Sequence, residues 1–294
     1  MKKKVFVIIV SYNGEKWLEK NLSSLKNSIY PVKTIVVDNN SSDASSEIIR
    51  SFKDVQLINS KENLGFGLAN NLAMKESLSK DADYLFLLNQ DTWVFPETIG
   101  NLVSAAEEYN NFGILSPLHY SGNEVVLDEN FETYWNRKTQ TFEDKIDEVP
   151  FVNAAAWLIP RRVVEKVGYF EPLYRHYGED RNYVTRVLFH NFKIGIVTNA
   201  NICHDRVIKR NFKKDVTQSK YKILTEVLNI NNSIVVGYTQ GLINVFGLPK
   251  YFSNHYSIAL VTQLFFKLIW YYLSLLLSVN MISNKRLSHK NDRY

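Results

Sequence analysis

LFLLNQDTWVF, residues 85–95, begins with four large apolar side chains and turns polar within a single residue. A short apolar run of this kind, bounded by polar residues, reads as a strand covered on both faces, the kind found in the parallel sheets of α/β proteins. Its tip delivers Asn89, Gln90 and Asp91 to one rim of that sheet. Asn and Asp make turns, and they also face charged ligands; the stretch by itself leaves both readings open.

The same alternation extends through the residues before it. Residues 5–10 (VFVIIV) form a continuous apolar strand, and Leu18, Leu22, Leu25 and Ile29 follow at helical spacing up to Pro31. Residues 34–37 (TIVV) are a second strand, after which Ser42 and Asp43 can cap a helix reaching Arg50, with Ile48 and Ile49 inward. Residues 55–58 are a third strand, and residues 67–80 a helix carrying Leu68, Leu72 and Ala73. Residues 84–88 are the fourth strand, and Pro96 opens a helix towards Tyr109. Strand and helix alternating at this spacing predict a parallel α/β sheet with right-handed crossovers. Ligands of such sheets gather outside the carboxyl ends of the strands, where the strand order switches.

Four polar clusters fall at those ends: residues 11–14 (SYNG), 38–43 (DNNSSD), 63–67 (NLGFG) and 89–91 (NQD). Each alone is most simply a turn; four on one rim make a site. Neither a G-x-G-x-x-G nor a G-x-x-x-x-G-K-[ST] follows the first strand, so a diphosphate bound here needs another counter-charge, such as a divalent cation at Asp91. A second acidic centre, Glu179 and Asp180, follows Gly178 and begins a helical pattern with Val184, Val187 and Leu188 inward. Acids in a first helical turn also complement the helix dipole, which is the simpler reading of that pair.

Composition sets the frame. The 294 residues are 45% hydrophobic and 22% charged, ordinary for a globular protein with a sizeable core. Cys203 is the single cysteine, which excludes an internal disulfide and fits a reducing compartment. MKKKVFVIIV imitates a secretory signal, but its apolar run ends at Val10, too short for that role, and reads as the first strand. The net charge of +5 is uneven: residues 205–294 carry 13 Lys and Arg against 4 Asp and Glu, and the first 204 carry 22 against 26. A basic tail calls for a partner of opposite sign. Residues 255–282 (HYSIALVTQLFFKLIWYYLSLLLSVNMI) are too apolar for a nucleic-acid arm; Lys267 interrupts them, and Lys285, Arg286, Lys290 and Arg293 follow. That pattern favours a helix lying in an anionic membrane surface. Packing on the rest of the chain or on a second copy in a homodimer, and a true span of ~20 residues, are the other arrangements left open.

The order of VIIVSYNGEKWLEKNLSSL, IVVDNNSSD, NLGFGLANN and FLLNQDTWV, continued by FVNAAAWLIPR, VGYFEPLYRHYGEDRNYVTRVLF and His204, resembles the family 2 glycosyltransferases over roughly residues 4–206, and most closely the bacterial rhamnosyltransferase-like members. The resemblance implies the GT-A fold: an α/β architecture with a mixed, mainly parallel sheet and helices on both faces. It implies a catalytic domain over 1–206, with a nucleotide-sugar half (1–117) and an acceptor half (118–206). A basic, apolar helical region over 207–294 lies outside the family pattern. The implied reaction moves a sugar from a nucleoside-diphosphate sugar, dTDP-rhamnose or a UDP-sugar, to a hydroxyl of a glycan or lipid-linked saccharide. It proceeds with inversion, in cell-surface polysaccharide synthesis at the cytoplasmic face of the membrane.

Carried over by position, Val10, Tyr12, Asp38, Asn63, Gly65, Gly67, Asn89 and Gln90 surround the nucleotide, with Asp38 accepting the imide N–H of the base. Asp91 matches the last carboxylate of the D-x-D-type motif and, assisted by His204, holds Mg²⁺ or Mn²⁺. Asn89 stands where many members have Asp, which leaves one carboxylate there. Asp180 matches the general base, with Glu179 beside it. Trp157 and Tyr177 are the expected platforms for an acceptor sugar, although the apolar run around Trp157 also reads as core. The polar, acidic residues 120–149 read as a partly ordered acceptor-side loop. Two other readings stand beside this one. A non-catalytic nucleotide-sugar-binding or assembly protein would keep the same pocket; a sugar-nucleotide nucleotidyltransferase would want a Gly-rich basic loop that SYNGEKW does not supply.

Overall fold

The computed structural model describes residues 2–206 and 210–291; Arg293 of the basic flank lies outside them. In chain order the first elements are β1 (Val5–Ser11), α1 (Glu15–Lys26), β2 (Val32–Asp38), α2 (Ser45–Ser51), β3 (Val55–Asn59) and α3 (Gly65–Ser79). Next come β4 (Tyr84–Leu88), β5 (Thr92–Val94), α4 (Thr98–Glu108), β6 (Phe112–Ser121), α5 (Glu129–Trp135), β7 (Gln140–Phe142) and β8 (Ile146–Glu148). Then follow β9 (Ala156–Pro160), α6 (Arg161–Val167), α7 (Glu179–Phe189) and β10 (Lys193–His204). Four tail helices close the described chain: α8 (Phe212–Leu228), α9 (Ile234–Phe252), α10 (Ile258–Leu277) and α11 (Val279–Lys290).

One mixed sheet runs β3-β2-β1-β4-β9-β6-β10-β8-β7, with β5 laid against β10. The strands from β3 to β4 are parallel, β9 is antiparallel to both β4 and β6, and β6 is parallel to β10. The chain runs outward from β1 to β3 and returns through α3 to β4 on the other side of β1. The carboxyl ends of β1 and β4 therefore flank the switch in strand order.

The apolar strands are covered on both faces, as their sequence demands. Phe6, Ile8, Ile35, Val37, Leu85 and Leu87 pack against α3, α6 and α7, while Val5, Val7, Ile9, Val36 and Phe86 pack against α1, α2 and α4. A third cluster holds the tail together: Ile223, Leu224, Val227, Tyr238, Val245, Leu264, Leu268, Tyr272 and Ile282, with Tyr174 inserted from the loop before α7.

Four sequence expectations change. The first helix ends at Lys26 and leaves Ile29 69% exposed, because the chain is already turning towards β2. On α3 the buried stripe is Ala69, Ala73, Met74 and Ser77, and Leu72 faces outward; small residues let this helix lie close to the sheet. Leu188 is likewise exposed at the end of α7. The expected loop over 120–149 contains α5, capped by Asp128 accepting from Phe131 N, and the β7–β8 hairpin, which adds to the sheet through β10.

The tail is laid out as a bundle. Among the described residues α10 is long and apolar enough to cross a membrane by length and composition, yet its Val261, Leu264, Leu268, Tyr272 and Leu275 are buried within the bundle. Its other side is open, with Phe266, Trp270, Leu273 and Leu277 exposed, and α9 also exposes Leu242, Ile243 and Phe246.

Candidate active site

The rim of β1 and β4 is braced by one amide. Gln90 Oε1 accepts from Tyr12 N at 2.9 Å, and Gln90 Nε2 donates to Tyr12 O at 3.2 Å. A side chain at position 14 would collide with that amide, since a Cβ on Gly14 would lie 2.3 Å from Gln90 Oε1. Val10 is partly buried at the end of β1, and the Tyr12 ring is exposed. At the end of β2, Asp38 accepts from Ser41 N at 3.2 Å and from the Ser46 hydroxyl, and is almost fully buried. Asn39 joins the second cluster to the third: its Nδ2 donates to Asn63 Oδ1 at 3.0 Å and its Oδ1 accepts from Leu64 N at 2.8 Å.

Gly65 opens α3 at φ +77°, where a Cβ would sit 1.5 Å from the carbonyl oxygen of Arg175. The loop carrying Arg175, His176 and Tyr177 thus rests directly on the start of α3, and glycine is what permits it. Gly67 likewise lies against Phe170 and Glu179.

The acidic tip of the fourth strand finds a histidine. β5 pairs antiparallel with β10 so that Thr92 stands opposite His204, and Asp205 N donates to Asp91 O at 2.9 Å. This brings His204 Nε2 to 3.4 Å from Asp91 Oδ1. His204 is buried, and its Nδ1 has no hydrogen-bond partner among the described residues. A separation of 3.4 Å is long for a direct hydrogen bond. It is close to the ~3 Å between two neighbouring ligand atoms, each ~2.1 Å from one octahedral ion. Among the described residues no three His, Cys, Asp or Glu side chains gather into a metal cage. A cation here would take its remaining ligands from water and phosphate oxygens, the habit of Mg²⁺ and similar hard ions, and the pair fits that role.

The second acidic centre lies across β9. Asn89 N donates to Ala155 O at 2.9 Å as the β4–β9 ladder ends. Beyond it a cavity of about 820 Å³ is lined by Asn89 and Asn153 at the sheet rim, by Phe66 of α3, and by Tyr177, Glu179 and Asp180 at the start of α7. Tyr177 and Gly178 both have positive φ, 75° and 86°, and this double left-handed step swings the chain into α7. Tyr177 is non-glycine in that region, which is backbone strain of the kind found at functional sites.

Burial pushes the Glu179 carboxyl up to about 7, and the neighbouring Asp180 charge adds to the rise. Glu179 Oε2 has no hydrogen-bond partner among the described residues. Burial also raises Asp180, opposed by the Arg181 guanidinium and by the N–H groups of Arg181 and Ala154. Two adjacent carboxyls in a poorly solvated place resist double ionisation, so the pair holds a proton near neutral pH.

Trp157 needs correction. It is fully buried on β9, opposite Leu87, with its ring stacked on Phe170, so it offers no face to a sugar. Tyr177 does line the cavity, with the Lys214 ammonium 5.2 Å from its ring centre.

The contribution that sequence reasoning missed is α8. Lys214, Gln218, Lys222, Thr225 and Glu226 form its cavity-facing stripe, and Asn229 follows at its C-cap. Tyr174 Oη lies 3.0 Å from Thr225 Oγ1, and Arg175 N donates to Tyr221 Oη at 3.2 Å, so the α7 approach loop is clamped between α3 and α8. The basic excess of the tail was the available signal, and it pointed to a surface rather than to a wall of this cavity.

Comparison with known proteins agrees with this architecture. The S. aureus TarS structure in complex with UDP-GlcNAc superposes with a TM-score of 0.66 at 15% identity, covering 98% of this chain and 89% of that one. The mannosyltransferase PcManGT of Pyrobaculum calidifontis, solved with GDP-Man and Mn²⁺, gives a TM-score of 0.61 at 13% identity over 98% and 86% of the two chains. At these identities the likeness is one of fold. By sequence, the chain is 26% identical over 213 residues to the low-salt glycan biosynthesis hexosyltransferase Agl10 of Haloferax volcanii, covering 69% of this chain and 67% of that protein. It is 25% identical over 218 residues to the dTDP-rhamnosyl transferase RfbF of Shigella flexneri, covering 69% and 70%. Against a glycosyltransferase of Rickettsia typhi, 25% identical, the match takes in 57% of this chain and about half, 53%, of the relative's length. The model of glycosyl transferase family 2 matches residues 6–168, more than half of the chain, and the chain belongs to that family.

Proposed function

We propose that this chain transfers a sugar from a nucleoside-diphosphate sugar to a hydroxyl of a glycan or lipid-linked saccharide, with inversion and with a divalent cation. The observation that carries the reading is the pairing of Asp91 with His204 at the sheet rim, beside a cavity whose other wall holds Asp180. A hydrolytic pair of carboxylates would not need the four polar clusters around β1 to β4. The donor we favour is dTDP-rhamnose, supported by the similarity to RfbF, with a UDP-sugar as the second candidate.

Asp91 and His204 would hold Mg²⁺ or Mn²⁺ on the diphosphate, and the ion, when bound, neutralises charge growing on the leaving group. The chain's own residues do the rest. Asp38, Tyr12 and the Asn39–Asn63 bridge shape the nucleotide end of the crevice. Asp180 takes the proton of the acceptor hydroxyl as its oxygen bonds to the anomeric carbon. The bond from that carbon to the diphosphate breaks, and its electron pair leaves with the diphosphate. A raised carboxyl pKa suits a base working near neutral pH, a contribution of ~10²–10⁴ in rate.

The test is a thermal-shift panel of UDP-, dTDP- and GDP-sugars with and without Mn²⁺, followed by transfer assays on Asp180→Asn. The expected result is metal-dependent stabilisation by one nucleotide class, retained in Asp180→Asn while transfer is lost. No stabilisation by any nucleotide would defeat the proposal, and undiminished transfer by Asp180→Asn would move the base elsewhere.

The open apolar face of α9 and α10, on a tail of strong positive charge, is proposed to lie on the cytoplasmic face of an anionic membrane. The full chain should sediment with phosphatidylglycerol-containing vesicles, and Phe266→Ser with Trp270→Ser should release it. Equal sedimentation of both proteins would leave this face for a second copy of the chain.

A further inference from the structure

We infer that the acceptor carries a phosphate group, held by a basic wall that α8 contributes to the cavity. This rests on the transferase reading and concerns only its acceptor side. Among the described residues five cationic side chains line the cavity, Arg137, Arg181, Arg206, Lys214 and Lys222, with the carboxylates Glu179, Asp180 and Glu226. Arg206 is already committed, pairing with both oxygens of Asp128. Arg181 lies over the Phe151 ring at 4.2 Å and shares its charge with the adjacent Asp180, and Lys214 lies over the Tyr177 ring at 5.2 Å, so aromatic faces hold both heads at the cavity.

The spacing on α8 has a direct reading. Positions 214, 218 and 222 fall on one helical stripe, which puts a Lys, a Gln and a Lys along ~12 Å of wall. Exposed lysines elsewhere on the molecule, such as Lys20 and Lys145, rest on carboxylates. Here Lys214 rests on the Tyr177 ring, Gln218 separates it from Lys222, and the carboxylate of the stripe, Glu226, stands one turn beyond Lys222.

The charge belongs to the acceptor because of where it stands. Arg181 follows Asp180 directly and Lys214 covers Tyr177, so the cations gather beside the proposed base. An acceptor must be there to surrender its proton. The diphosphate of the donor would take its own counter-charge from the cation that Asp91 and His204 would hold. Two sources would present the same chemistry: a phosphate linking a saccharide to a lipid carrier, or a phosphodiester of a polymer.

The experiment uses the full chain, the donor selected by the thermal-shift panel, and three acceptors. They are an octyl hexoside, the same hexose joined to octanol through a diphosphate, and a short glycerol-phosphate oligomer. One or both charged acceptors should show a KM at least tenfold below that of the neutral hexoside, and the better of the two identifies the source. In Lys214→Gln/Lys222→Gln that ratio should collapse towards one, and it should also shrink in the parent chain as salt rises. Nucleotide-sugar stabilisation should survive in the variant. Equal KM for neutral and charged acceptors overturns the inference alone. A variant that loses donor affinity and keeps the acceptor ratio assigns these lysines to the donor and overturns it too. A chain that binds no nucleotide sugar removes the transferase reading first, and the inference with it.

Discussion

Asp91 and His204 stand 3.4 Å apart although they come from distant parts of the chain. If they hold the cation, Asp91→Asn should erase the Mn²⁺-dependent part of the nucleotide-sugar thermal shift and lower kcat by about 10²–10³, the scale of losing one preorganised charge partner. Unchanged metal dependence would place the ion elsewhere. Glu179 supports a second prediction. Its carboxyl is raised to about 7 in the folded chain, so the fold favours the neutral form. Its stabilising contribution is therefore full below the ordinary carboxylate range and is lost as pH rises through 7. Glu179→Gln should remove a fall in stability on the order of 3 kcal/mol between mildly acid and neutral pH, measured by urea denaturation. A parallel pH profile in both proteins would reject the burial argument. Both residues were legible in the sequence as acids at element ends. Trp157 was legible both as a sugar platform and, from its apolar run, as core; the pairing of β9 with β4 decides for the core.

At the scale of elements, the strands and helices before Tyr109 follow from period and punctuation, whereas their inward faces do not all follow. The first turn of α3 is glycine because the Arg175 carbonyl and Phe170 crowd Gly65 and Gly67, and small residues continue its buried stripe against the sheet. Gly65→Ala would add a Cβ onto the Arg175 carbonyl at a positive φ, and should destabilise the chain by ~2–4 kcal/mol by denaturant titration. Chain stability within a few tenths of wild type would mean the loop simply moves away. The tail depends on a different contact. Arg286 is buried on α11 and donates to the carbonyls of Val227, Asn229 and Asn232, closing the end of α8. Arg286→Met should cost about 2–4 kcal/mol, because it leaves those carbonyls unpaired. The sequence offers Arg286 as one more surface cation; nothing local marks it as the cap of a helix far upstream.

For the whole molecule, the question is what fastens the tail to the sheet. Glu171, in the loop after α6, is buried against α11, with His289 Nε2 at 2.9 Å from Oε2 and Lys285 Nζ at 3.0 Å from Oε1. Burial alone would raise this carboxyl, but the hydrogen bonds and charges of His289 and Lys285 win and hold it at about 2. The sign is opposite to that of Glu179: the contribution is present above the ordinary carboxylate pKa and is lost as pH falls towards 2. Glu171→Gln should thus lower stability at neutral pH by an amount on the order of 3 kcal/mol, and the gap to wild type should close in acid. A gap independent of pH would mean that shape, not charge, does the fastening. Because α8 walls the cavity, loosening this contact should also raise acceptor KM, which a steady-state assay of the same variant would read.

The sequence by itself determined the alternation of buried strands and helices, the rim on which Asn, Asp and Gly collect, and the polarity of the tail. These are local properties, set by side-chain period, by turn chemistry and by the absence or presence of charge. Only the tertiary structure decided which rim residues meet. The three-residue β5 turns back onto β10 and brings Asp91 to His204, β9 slots between β4 and β6 and buries Trp157, and α8 folds over the cavity with Lys214 and Lys222. Each of these is a pairing between segments far apart in the chain, and its energy lies in a contact that no window of neighbouring residues contains.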